Sequence, residues 1–570
     1  MKGCILKTLA LLWACPVFCQ PLQRFELIIT EIMADPLPVV GLPAAEFIEV
    51  KNISNRSLRL DGCRISDGVS TGVIGTGVVL PPDSLLILCS KSYATAFAEF
   101  GRTQALGTFP SIDNDGDEIT IFASDGMVIH AFRFVAGDYR NPLKQAGGWS
   151  LEMIDTRFPC HGADNWAASQ ALQGGTPGRV NSVAGTRSDI TAPRALRTWA
   201  LDSVSIIVQF DEGLDSISAA SLSSYYLGAA APKVVKARPI SPFFDQVLLT
   251  LTSPMDHARV YMLEVSGIRD CHGNAMVRPS SVKTGRPTLA NSGQLRINEI
   301  LFDPKPGGAD YIELIHLGPG LIDGSGIHIG NVNSSGQVAN LRPLQKQAKL
   351  IFPGDHIVCT TDPEAVLRDY FVKERDWLWK MDNLPSYPDD MGSVVLMDMT
   401  GNELDRFEYR ADMHFPLIGE KEGVALERVQ PSRPTQDAGN WHSASSRSGY
   451  GTPTGRNSQF MASDTLPGEI WLSSKVLSPD LDGQDDALII TWRFPTPGNT
   501  LSMRILDIQG RLIMLLMRNS LAGTTGTISW NGLNERQLAL AGGPYLLWTE
   551  VTGLNGRSRL WRIPFLISYR

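Results

Sequence analysis

Along most of the chain, apolar and polar residues alternate with a period close to two, in runs of roughly four to eight residues. Glu46-Phe47-Ile48-Glu49-Val50 and Glu118-Ile119-Thr120-Ile121-Phe122 are typical. That period belongs to strands with one buried face. Clusters of Gly, Pro, Asn and Asp separate the runs, so the predicted class is all-β, built as sandwiches of short antiparallel strands joined by tight turns.

The same landmarks occur twice. Phe25-Glu26-Leu27-Ile28-Ile29-Thr30-Glu31-Ile32, Asp35-Pro36 and Glu46-Phe47-Ile48-Glu49-Val50 are answered by Leu295-Arg296-Ile297-Asn298-Glu299-Ile300, Asp303-Pro304 and Asp310-Tyr311-Ile312-Glu313-Leu314. Each copy then closes alike. Leu151-Glu152, Asn165-Trp166 and Gly175-Thr176-Pro177 through Asn181 correspond to Leu426-Glu427, Asn440-Trp441 and Gly451-Thr452-Pro453 through Asn457. Agreement at dispersed positions marks an internal repeat, which takes precedence over other assignments.

The E-I-x-x-D-P opening, the (E/D)-(F/Y)-I-E-(L/V) strand, the N-W pair and the G-T-P ending resemble the bacterial form of the lamin-tail domain. The resemblance implies immunoglobulin-like β-sandwiches at residues 22–184 and 290–460, in tandem with others. The second copy carries Thr454 where the first has Gly178, and reads as having an insertion around Arg375–Tyr387 with Trp377 and Trp379. Between the copies, residues 188–287 resemble a bacterial Ig-like spacer, including a D-x-x-G-N hairpin at Asp270–Asn274. Residues 464–570 carry Leu477-Ser478-Pro479-Asp480, Asp482-Gly483, Ile505-Leu506-Asp507-Ile508-Gln509-Gly510-Arg511, Trp530-Asn531-Gly532 and Gly543-Pro544-Tyr545. These resemble flagellar-hook-capping-like Ig domains and the C-terminal sorting domains of type IX secretion in Bacteroidetes. Pro564 inside the last predicted strand is a residue that a sheet centre rejects.

Length agrees with this count, since 570 residues suit about three to five domains. Gly 53 and Pro 36 supply the turns. Lys+Arg 51 against Asp+Glu 59 gives a net charge of −8, so charge offers no support for nucleic-acid binding. Residues 1–19 read as a cleaved secretory signal, with Lys2 and Lys7 ahead of the apolar run Leu9 to Phe18. An alternative takes Leu12-Trp13-Ala14-Cys15 as a lipobox with Cys15 acylated. No later apolar run approaches the roughly 20 residues that span a bilayer as a helix. The expected location is the cell surface, the outer membrane or the medium, with the periplasm as alternative and the export machinery as one partner.

Candidate chemistry is sparse. Cys63, Cys89, Cys160, Cys271 and Cys359 follow the signal, an odd set that predicts no disulfide framework. Cys89 and Cys359 occupy matching strand positions and read as buried small apolar residues. The nine histidines form no metal-ligand spacing and read as surface or loop residues, so zinc has no sequence support. Recurrent Glu31, Glu49, Glu299 and Glu313 could do acid–base work, but read as solvent-side carboxylates with backbone or arginine partners. Trp166 and Trp441 read as core or edge packing. Asp480, Asp482, Asp485 and Asp486 are the candidate metal ligands, for calcium, against the plainer reading of an acidic turn. Gly68-Val69-Ser70-Thr71-Gly72 fits a nucleophile elbow only by letter, because no strand–turn–helix context surrounds it.

No catalytic residue, cofactor or small-molecule substrate is therefore expected. The leading function is a non-enzymatic exported scaffold, adhesion or binding protein whose partners are cell-envelope or extracellular proteins or polysaccharide. The alternatives are a module binding polysaccharide or extracellular DNA, and a hydrolase using the recurrent carboxylates.

Overall fold

The strand Leu27–Met33 is buried at all seven positions, which period-two amphipathicity does not produce. It lies at the centre of a six-stranded sheet in the order Trp166–Ala168, Leu151–Met153, Leu27–Met33, Phe47–Asn52, Leu85–Ser90, Thr103–Leu106, parallel only at the last pair. One face meets a four-stranded sheet, Val128–Val135, Gly116–Phe122, Arg64–Ser66, Thr71–Val73. The opposite face is covered too, by the short helix Ala94–Phe97 and by the closing loop through Thr176. Strands covered on both sides carry apolar residues at successive positions, as Leu85–Ser90 does in Leu-Leu-Ile-Leu-Cys.

The computed structural model describes residues 20–187, 189–461, 468–480, 482–554 and 556–569. The predicted signal, residues 1–19, and the start of the last module, including Asp464, lie outside the described residues. The described residues form many small sheets, 40% strand and 9% helix, as tandem immunoglobulin-like sandwiches. They divide into two compact units: one runs to Pro254 and includes Tyr261–Lys283, and the other comprises Met255–Val260 and Thr284 onward.

In the first unit a second sandwich follows, with the antiparallel sheet Ala195–Asp202, Ser205–Phe210, Gln246–Leu251, Val234–Ile240 and the smaller sheet Tyr225–Tyr226, Tyr261–Val265, Ser280–Thr284. Asp270 organises the predicted hairpin by accepting the N–H groups of His272 and Asn274, both at 2.8 Å.

The second unit repeats the first sandwich strand for strand. Its six-stranded sheet runs Trp441–Ser443, Leu426–Arg428, Leu295–Leu301, Tyr311–His316, His356–Thr360, Leu378–Lys380, and its other sheet Glu403–Arg410, Met391–Asp398, Ile327–Val332, Val338–Pro343. The stretch read as an insertion thus supplies the parallel edge strand, in the place that Thr103–Leu106 takes in the first copy. Trp379 is buried on it because its indole fills the core. Trp166 stacks on Phe132 at 3.8 Å, and Trp441 on Phe407 at 3.7 Å.

The last sandwich has sheets Glu469–Leu472, Leu488–Arg493, Thr525–Trp530 and Val476–Leu477, Ser558–Ile567, Gly543–Thr552, Thr500–Asp507, Leu512–Leu521. Pro564 is tolerated for a geometric reason. Leu566 donates its N–H outward to Lys475 O at 2.9 Å, so position 564, two residues earlier, also points outward, where Val476–Leu477 no longer pairs. Replacing Trp166 or Trp441 by Ala is expected to cost about 3–5 kcal/mol in its own domain, read by urea unfolding. A loss below about 1 kcal/mol would show the indole stack to be peripheral.

Candidate functional site

The recurrent glutamates sit at identical register positions. Glu31 faces Glu49 on one neighbour and Glu152 on the other, and Glu299 faces Glu313 and Glu427. All six are fully buried. The solvent-side reading of Glu31, Glu49, Glu299 and Glu313 is therefore corrected: the face they point to is covered by the closing loop.

Buried carboxyls require donors or protons. The loop supplies most of the donors. In the first copy Glu31 Oε1 accepts Ser150 Oγ at 2.6 Å and Thr176 N at 2.7 Å. Glu49 accepts Gly178 N at 2.6 Å and Thr30 Oγ1 at 3.0 Å. Glu152 accepts Thr176 Oγ1 at 2.8 Å, Ser182 Oγ at 2.7 Å and Val183 N at 3.1 Å. In the second copy Glu299 accepts Thr452 N at 2.9 Å and the Tyr311 hydroxyl; Glu313 accepts Thr454 N at 2.7 Å and Asn298 Nδ2 at 2.7 Å; Glu427 accepts Ser458 Oγ at 2.9 Å and Gln459 N at 2.8 Å. Asn181 and Asn457 complete the latch, each donating two bonds to backbone carbonyls of the sheet. Thr30 and Asn298 owe their position to a β-bulge shared by both copies.

Proton bookkeeping follows from the threonine. Thr452 Oγ1 lies 2.6 Å from Glu299 Oε2 and 2.9 Å from Glu427 Oε1, yet a hydroxyl has one hydrogen. The second bond needs a carboxyl proton. Burial accordingly pushes Glu299 well above the usual carboxyl range, with Glu427 and Glu313 adding like-charge repulsion, and lifts Glu427 to about 7. In the first copy burial and then Glu49 raise Glu31, and burial raises Glu49 to about 7. These groups hold a loop shut.

The acidic loop behaves differently. Asp480, Asp482 and Asp486 bring carboxylate oxygens within 4.8 Å of one another, whereas Asp485 is not among them. Asp485 turns the chain with φ +55° and accepts Ser478 N through its backbone carbonyl at 2.9 Å. Asp482 caps Gln484 N and Asp486 caps Gly483 N, each at 2.7 Å.

Cys63, Cys89 and Cys359 are buried thiols, which desolvation pushes up to about 11, about 11 and about 12. Cys160 and Cys271 form a disulfide that the odd cysteine count concealed. A legible signal existed, because Cys160-His161-Gly162 and Cys271-His272-Gly273 repeat one tripeptide. The histidines also depart from the surface reading: His130, His316 and His414 are buried, each bonded through ring nitrogens. Ser70 of the elbow-like sequence lies in a turn, its N–H and hydroxyl bonded to Asp67, between the short strands Arg64–Ser66 and Thr71–Val73.

The architecture is that of a tandem immunoglobulin-like β-sandwich protein. Residues 22–136 match the family described as Lamin Tail Domain. No curated protein matches the chain. Among solved structures, the N-terminal part of the bacterial S-layer protein SbsC is 19% identical, covering 30% of this chain and 40% of its own, with a TM-score of 0.16. Domains 1–6 of SbsC are 9% identical over 67% of this chain and 55% of theirs, TM-score 0.16. A tetra-tandem repeat from the extending region of a large adhesion protein is 10% identical over 95% of this chain and 99% of its own, TM-score 0.13. The chain thus spans about half or less of the two S-layer structures, and scores this low carry no argument about function.

Because Glu49 keeps its proton up to about 7 when folded, against 4.5 as the reference, its contribution is full below pH 4.5 and is lost as pH rises toward 7. His130, lowered to about 4 by burial, acts with the opposite sign, so the wild type must be compared with Glu49→Gln, which cancels it. Relative to that variant, the wild type is expected to lose roughly 2–3 kcal/mol between pH 5 and 8 in urea unfolding of this domain. A pH-independent difference would mean that Glu49 is charged in the fold.

Proposed function

We propose that the chain is a non-enzymatic exported scaffold or adhesion protein, in which tandem sandwiches carry loop surfaces toward cell-envelope or extracellular proteins or polysaccharide. One observation carries this reading. The chemistry-bearing residues that recur in the chain, its six matched glutamates, are fully buried and bonded to the closing loops. The same recurrence, with equal strand order, supports two lamin-tail domains, at 22–184 and 290–460, separated by an Ig-like spacer at 188–287. In this proposal residues 1–19 direct export, and residues 464–570 act as a sorting domain of the type IX kind found in Bacteroidetes. Among the described residues no helix is long and apolar enough to cross a membrane.

The test is protease shaving of intact cells with fractionation, comparing the full chain with a version ending before Asp464. The full chain should be surface-exposed or released, and the truncated one retained in the periplasm. Retention of both in the periplasm would remove the surface role and the sorting role together.

A further inference from the structure

The two Cys-His-Gly tripeptides lie about 110 residues apart, the first in a loop of the first sandwich and the second at the Asp270 hairpin of the next. The disulfide Cys160–Cys271 joins them, and their histidines converge on a third element, the linker residue Asp189. The Asp189 side chain is 1% exposed. Its Oδ1 accepts Thr191 N at 3.2 Å and Thr191 Oγ1 at 3.1 Å. Its Oδ2 makes no hydrogen bond of ordinary geometry, and faces His161 Nδ1 and His272 Nδ1, each at 3.4 Å. An orphaned buried carboxylate oxygen is costly.

A separation of 3.4 Å is long for an N–H···O bond but close to the edge, about 3.3 Å, of a tetrahedron with metal–ligand bonds of about 2.0–2.1 Å. With His161 and Asp189, Glu212 makes a third donor. The ligand atoms of His161, Asp189 and Glu212 all lie within 4.8 Å of one another. Among the described residues neither Asp189 nor Glu212 is paired with a lysine or arginine. Burial, with Asp189, Asp270 and Asp211 adding like-charge repulsion, pushes Glu212 up to about 8, and a divalent cation set between the two carboxyls and the His161 ring takes the place of that proton. His272 stands apart from this group: its Nδ1 lies 3.3 Å from Cys271 Sγ and 3.5 Å from Cys160 Sγ, and its Nε2 lies 3.3 Å from Arg157 O. Asp270 is committed to its hairpin, binding His272 N, Asn274 N and Asn274 Nδ2. His161 and Glu212 line a cavity of about 260 Å³, which gives an ion a way in.

We propose that His161, Asp189 and Glu212 form a binding site for a divalent transition metal, zinc in the first instance, that ties the linker to the sandwiches on either side of it. The disulfide sulfurs hold the tripeptides together and are not ligands.

The experiment uses the full exported chain with its disulfide intact, stripped with EDTA and titrated with Zn²⁺, with bound metal counted by elemental analysis and with Co²⁺ as the spectroscopic probe. One equivalent of Zn²⁺ should bind at micromolar concentration or tighter, and Co²⁺ should give tetrahedral d–d bands without thiolate charge transfer. The His161→Ala variant should lose roughly 100-fold or more in affinity and lose the zinc-dependent rise in Tm. Its metal-free Tm and circular dichroism, expected to match those of the stripped wild type, separate a lost ligand from a lost fold. Cys160→Ser/Cys271→Ser should keep binding. Failure of the wild type to bind below about 100 µM, binding unchanged in the histidine variant, or binding that requires reduced cysteines would each overturn the proposal.

Discussion

A single threonine hydroxyl set between two buried carboxyls governs the architecture of each repeated sandwich. Thr176 and Thr452 belong to the last segment of their domains, whereas Glu31 and Glu299 belong to the first strand, 145 and 153 residues away in sequence. Three glutamates side by side on one sheet face are unfavourable until the Gly-Thr-Pro segment arrives with its N–H groups and hydroxyls, and that segment has no reason to lie flat until the glutamates accept it. Each half is unfavourable without the other. The closing loop is therefore the second cover of the central strands, and it explains why those strands are apolar at successive positions.

This mutual dependence also explains what could be read from one sequence. The residues of the latch were visible as a repeat: Glu31 with Glu299, Glu49 with Glu313, Thr176 with Thr452, Asn181 with Asn457. Their burial was not visible, because strand period shows that two faces differ and says nothing about what covers the second face. The aspartates at 480–486 were legible as a turn with clustered carboxylates, but the chain-turning role of Asp485 depends on a positive φ that spacing does not reveal. Cysteine parity misled for a related reason. Five cysteines suggested no framework, whereas the informative unit was the tripeptide Cys-His-Gly, whose two occurrences meet only after two sandwiches have formed.

The copies show which parts of the latch tolerate change. Gly178 and Thr454 hold the same left-handed backbone, φ +76° and +62°. At Gly178 a Cβ would come within 2.2 Å of Phe100 O, so only glycine fits; at Thr454 the carbonyl is elsewhere, and the side-chain hydroxyl accepts Glu374 N at 2.9 Å in return for the strained conformation. The N–H freed beside the bulge is served by His130 in one copy, at 3.1 Å to Ile29 N, and by Asp405 in the other, at 2.9 Å to Ile297 N. Asp405 then brings buried Arg428 as its counterion, whereas His130 stays neutral and needs none. The acceptor position persists, and its charge is settled locally.

The disulfide has a mechanical meaning. Cys160 and Cys271 enclose a sequence separation of 111 residues. When the chain is pulled from its two ends, tension crosses that covalent bridge and bypasses everything between, including most of the second sandwich. Contour length of roughly 370–400 Å is thereby withheld from stretching for as long as the bridge is oxidised. The first unit is extensible only outside this span, and reduction converts an inextensible segment into slack.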